Sequence, residues 1–94
     1  MKIMNHASKV TALVVAIAGQ DNDYSIYDVC CKDDQTIVDN AAAFEELAYS
    51  QIDPDLTSND TAEAVKLWAD EAIRAEALAM LKTEIKNAIA AYND

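Results

Sequence analysis

The chain has 94 residues, 52% of them hydrophobic, and a formal net charge of −10 from 17 acids against seven Lys and Arg. This length and composition describe one domain, residues 1–94, with enough apolar material for a core and too much for general disorder. The charge argues against direct binding to nucleic acid or an anionic membrane, because phosphate contacts need Lys and Arg, and no apolar run approaches the ~20 residues of a membrane span.

One Gly, one Pro and eighteen Ala favour helix, since Ala is the best helix former and Gly and Pro the worst. The expected class is mainly α: a three- to four-helix domain with a long C-terminal helix. The first helix is predicted over His6–Ala18, with Asn5 or Ser8 as its N-cap. Val10, Leu13, Val14 and Ile17 fall at i, i+3, i+4 and i+7, one apolar stripe, and Gly19 is placed to close the helix in the left-handed conformation. The same segment has a second reading. Lys2 and Lys9 before an apolar run that ends Ala16-Ile17-Ala18 form a signal-peptide pattern, with secretion after cleavage at Ala18.

Residues 24–38 support two readings. Tyr24, Tyr27 and Cys31 share a helical face. The aromatic and β-branched run Tyr24–Cys31, a turn at Lys32–Gln35 and Thr36-Ile37-Val38 would instead make a β-hairpin, and an α+β fold. An isolated hairpin is marginal in water and would have to pack on helices, so helix is preferred. A helix over Val38–Gln51 follows, with Ile37, Ala41, Phe44, Leu47 and Ala48 as its stripe. Pro54 biases Asp53 out of the α region and ends it, leaving Asp53–Asn59 as a loop.

The last helical stretch opens on Asp60-Thr61-Ala62-Glu63, a capping-box arrangement with Asp at the cap. No breaker occurs from Thr61 to Tyr92, yet the apolar face moves. Val65, Trp68, Ala72, Ala75 and Ala79 share one side; Leu78, Leu81, Ile85, Ala88, Ile89 and Tyr92 share nearly the opposite one. Either the helix bends or breaks near Arg74–Ala77, or its second half serves another chain. On the latter account Leu78, Leu81, Ile85, Ile89 and Tyr92 form a homodimer surface, and the protein is a helical structural or adaptor protein.

Catalytic chemistry is hard to draw from this sequence, and the expectation is a non-enzyme. His6 is the one histidine and reads as a solvated surface group. Cys30 and Cys31 are adjacent, poorly placed to bond each other, and read as small buried hydrophobes; the lack of a cysteine framework fits a reducing compartment. Asp21-Asn22-Asp23 and Asp53-Pro54-Asp55 start like calcium loops but put Ile26 and Ser58 where such loops need Gly. Neither a metal nor a cofactor is expected.

The remaining feature is charge. Residues 20–60 carry eleven acids (Asp21, Asp23, Asp28, Asp33, Asp34, Asp39, Glu45, Glu46, Asp53, Asp55 and Asp60) against Lys32 alone. Asp is a turn and cap residue, which accounts for some of them. Capping does not account for the missing cations, since natural surfaces usually mix signs. A duplex presents about one charge per 1.7 Å, and short Asp side chains on a helical scaffold can occupy a groove built for phosphates.

In size, acidic centre, Asp39-Asn40-Ala41 at a helix start, and the step Val65-Lys66-Leu67-Trp68 opening a long C-terminal helical region, the chain resembles small acidic phage proteins that mimic DNA, the antirestriction and acidic anti-CRISPR inhibitors. The resemblance is one of layout. It departs from the antirestriction type at the C-terminus, where Lys82, Lys86 and an Ala-rich turn replace an acidic tail. It implies a phage-encoded inhibitor acting in the bacterial cytoplasm on the basic groove of a host defence protein. The expected partner-binding residues are Asp21, Asp23, Asp28, Asp33, Asp34, Asp39, Glu45, Glu46, Asp53 and Asp55.

Overall fold

The computed structural model describes residues 5–19, 25–56 and 61–94. All regular structure among them is helical. Helix α1 spans His6–Ala18, as the sequence predicts, and Asn5 is its cap: the Asn5 side chain accepts from the Ser8 amide at 2.8 Å. The stripe Val10, Leu13, Val14 and Ile17 is buried. Gly19 departs from expectation. Its φ is −82°, not left-handed, and its amide bonds directly to the Val15 carbonyl at 2.7 Å. Glycine is required here for space, since a Cβ would meet the Val15 oxygen at 2.6 Å.

Residues 25–39 form a chain of short helical turns; no strand occurs among the described residues. The Ser25 hydroxyl accepts from the Asp28 amide at 3.2 Å and starts α2, Ile26–Asp28. Without a break, α2 widens into a π-helical turn over Val29–Asp33, closed by the Asp34 amide on the Val29 carbonyl at 3.0 Å. The wider turn puts fewer degrees between neighbours, and both Cys30 and Cys31 are buried. Asp34 then caps a 3₁₀ turn over Gln35–Asp39, its carboxylate accepting from the Thr36 amide at 2.9 Å and from the Thr36 hydroxyl. The predicted helical face used Tyr24, which lies outside the described residues.

Helix α3 covers Ala41–Ser50, three residues shorter at its start than predicted. Asn40 is extended and caps α3 by accepting from the Ala43 amide at 3.1 Å. After α3 the chain turns on Pro54: the Asp53 carbonyl accepts from the Leu56 amide at 3.0 Å and the Asp53 carboxylate from the Asp55 amide at 2.9 Å. This is the Asx-type turn that Asp followed by Pro favours.

The C-terminal region is two helices, α4 over Ala62–Trp68 and α5 over Glu71–Asn93. The break expected near Arg74–Ala77 comes earlier, at Ala69–Asp70. Asp70 is extended (φ −82°, ψ 113°) and its carboxylate accepts from the Ala72 and Ile73 amides at 3.0 and 3.3 Å. The Arg74 guanidinium braces the break by donating to the Trp68 carbonyl at 3.0 Å. Thr61 precedes α4 without a side-chain cap bond; the predicted cap Asp60 lies outside the described residues.

Restarting the helix resets its phase. The core stripe of α5 is Ile73, Ala77, Leu81 and Ile85, all buried, with Leu78 and Ile89 packed beside it. The proposed homodimer surface is therefore corrected: Leu81 and Ile85 are 0% exposed within one chain, and of the five only Tyr92, 57% exposed, points outward. Ala72, Ala75 and Ala79, expected on an apolar side, are exposed. At about 1.5 Å per residue α5 is roughly 35 Å long, against a longest extent of 45 Å for the molecule. Helix α1 packs chiefly on α5 and less on α4, and the 25–39 turns pack on α5 and touch α1. No helix among the described residues is long and apolar enough to cross a membrane.

Candidate functional site: the acidic face and its aromatic groove

Of the ten acids expected to face a partner, Asp21 and Asp23 lie outside the described residues. The other eight divide into paired and unpaired groups. Asp28 pairs with Lys32 one turn on, at 3.4 Å. Asp39 in the 3₁₀ turn pairs with Lys86 at 3.5 Å, and Glu45 on α3 with the Arg74 Nε at 3.8 Å. Asp33, Asp34, Glu46, Asp53 and Asp55 have no ion pair among the described residues; all but the half-buried Asp53 are exposed. Two of the five are also structural: Asp34 caps the 3₁₀ turn, and its hydrogen bonds to Thr36 hold its carboxyl below the usual carboxylate range, while Asp53 builds the turn at Pro54.

The sequence places Arg74, Lys82 and Lys86 far from the acidic block, and the fold brings them back to it. These three share the flank of α5 that faces the 35–45 segment. Arg74 meets Glu45 and Lys86 meets Asp39, so the two segments run antiparallel. Lys82 lies between them, lining with Glu45, Ala41, Phe44 and Leu78 a cavity of about 170 Å³. At the far end the Gln35 and Asn93 amides exchange hydrogen bonds of 3.1 and 3.2 Å. The opposite flank of α5 is acidic: Glu76 bonds His6 of α1, and Glu84 accepts from the Tyr27 hydroxyl at 3.0 Å. Helix α5 is thus sorted by sign about its core stripe. The apparent lack of cations around Asp28–Glu46 is partly made good in three dimensions. Exposed pairs of this kind contribute about 0–1 kcal/mol each, so their main effect is to fix alignment.

A concave site within the acidic block combines carboxylates with aromatic rings. Ala42, Glu45, Glu46 and Tyr49 follow at i, i+3, i+4 and i+7 on one face of α3. With Trp68 at the end of α4 they line an open groove of about 410 Å³. The Tyr49 and Trp68 rings are 5.3 Å apart, tilted by 52°, a favourable aromatic geometry. Both are half-buried. Sequence reasoning named Glu45 and Glu46 but missed the aromatic wall. The spacing of Glu45, Glu46 and Tyr49 is a visible signal; Trp68 joins them only because the chain turns back through Pro54.

The thiols offer no exposed nucleophile. Both are free and buried, and burial, then the neighbouring Cys31 and Asp34, push the Cys30 thiol up to about 11. No group of three or more metal-binding side chains converges among the described residues. No family model matches the chain, and no match is found among curated proteins or solved structures.

Proposed function

We propose that this protein is a non-enzymatic acidic inhibitor that occupies the nucleic-acid groove of a basic host defence protein, as the resemblance to phage DNA mimics implies. The observation that carries the reading is the charge balance of residues 28–55. Eight described acids sit on capped turns and helix, three cations reach them, and five carboxylates are left without an ion pair among the described residues. Caps at Ser25, Asp34 and Asn40 hold the backbone under these charges, so the pattern is presented without an ordering cost at the moment of binding. Charge of one sign on such a surface steers a basic partner and makes association salt-sensitive.

The test is displacement of labelled nucleic acid from purified restriction and CRISPR effector complexes. The expected result is displacement at low salt that weakens steeply as salt rises. The variant with Asp33, Glu46 and Asp55 all changed to Lys, which leaves the Asp34 cap in place, should lose it. Displacement that survives this reversal, or occurs with none of the complexes, defeats the proposal.

A further inference from the structure

We infer that the groove between α3 and the end of α4 is the anchor point of this surface and takes one arginine side chain of the partner, stacked against the Tyr49–Trp68 pair and held by Glu46. The inference rests on the acidic-face reading and gives it a specific contact. Three observations converge. The groove joins two carboxylates, Glu45 and Glu46, to two aromatic rings in one concave surface, which is the combination that binds a guanidinium: a π face for its plane and carboxylates for its N–H groups. The chain's own Arg74 already shows a guanidinium at this edge, on the Trp68 carbonyl at 3.0 Å and near Glu45 at 3.8 Å. Arg74 engages Glu45 and leaves Glu46 without an ion pair among the described residues, so one carboxylate is ready for a second cation. Arginine is favoured over lysine because a planar, weakly hydrated guanidinium stacks and bonds two oxygens at once, whereas an ammonium is a strongly hydrated point charge. Interface hot spots are enriched in this chemistry, Trp, Tyr and Arg in one desolvated pocket.

Trp68 is the chain's one tryptophan, so its fluorescence reports on the groove directly. The experiment titrates the full chain with hexa-arginine and hexa-lysine peptides at low salt, following Trp68 emission and, in parallel, total binding by calorimetry. The expected result is a saturable Trp68 change with the arginine peptide at lower concentration than with the lysine peptide. Glu46→Gln should weaken the Trp68-reported binding by roughly threefold or more, and Asp33→Asn, which removes the same charge elsewhere, should weaken it by less. Glu46 and Asp33 are exposed, so neither variant threatens folding. Calorimetric binding with a silent Trp68, equal response to the two peptides, or equal effects of the two variants would overturn the anchor while leaving the acidic-face reading standing. Failure of both peptides to bind by calorimetry would remove both.

Discussion

The Leu81→Ala substitution separates the two accounts of the C-terminal helix. Leu81 is 0% exposed, between Ala77 and Ile85 on the core stripe of α5. Removing three carbons at ~0.8 kcal/mol each withdraws about 2.4 kcal/mol of transfer free energy, and the cavity left behind raises the expected loss to about 3–4 kcal/mol. A domain of this size has ~5–14 kcal/mol in total, so the loss is a large fraction. It corresponds to a fall in Tm of roughly 12–30 °C. Urea unfolding followed by far-UV circular dichroism, at two protein concentrations about tenfold apart, measures it. The wild-type midpoint should not move with concentration. Tyr92→Ala, at a 57% exposed position, should cost under about 0.5 kcal/mol. A Leu81→Ala loss below about 1 kcal/mol, or a concentration-dependent midpoint that the substitution abolishes, would refute the single-chain core and restore the intermolecular helix.

Asp70→Ala removes the acceptor for the Ala72 and Ile73 amides and should cost about 1 kcal/mol, with Asp70→Asn recovering most of it; thermal unfolding of the two variants side by side checks this, and an unchanged Tm in Asp70→Ala would show that the break is held by packing instead. The buried Cys30 thiol is pushed up from its ordinary 9.0 to about 11. Its contribution is therefore complete below about pH 9 and is lost as pH rises from there through about 11. Urea midpoints across that range should fall more steeply for the wild type than for Cys30→Ala, and parallel slopes would contradict the assignment.

Local signals carried well where they were self-contained. The spacing of Val10, Leu13, Val14 and Ile17 and the Asn5 cap are properties of one helix, and α1 formed as the pattern dictates. Gly19 was legible as a stop but not in its mechanism, because a close approach to the Val15 oxygen demands glycine as firmly as a positive φ does. The region around Cys30 and Cys31 was ambiguous because a π turn and a 3₁₀ turn follow neither a 3.6- nor a 2-residue period. Ser25 and Asp34 each cap a short turn there, and their side chains compete with any extended ladder.

The C-terminal region shows the boundary between the two kinds of information. An unbroken helix-forming stretch with a drifting apolar face implies a phase change, and sequence alone supplied that much. Asp70 is the cap that makes the change, but Asp is also tolerated in helix interiors, so periodicity could not position the break within four residues. The acidic block behaved similarly. Its excess is fixed by composition: no fold removes a net charge of −10. Which carboxylates stay unpaired was decided by tertiary structure. Helix α5 returns antiparallel to residues 35–45 and brings Arg74 and Lys86 onto Glu45 and Asp39, and the turn through Pro54 sets Trp68 beside Tyr49. Helix content, cap chemistry and net charge are sums over neighbours in the chain. Pairing, burial and the shape of a groove depend on residues far apart in sequence, and only packing brings those together.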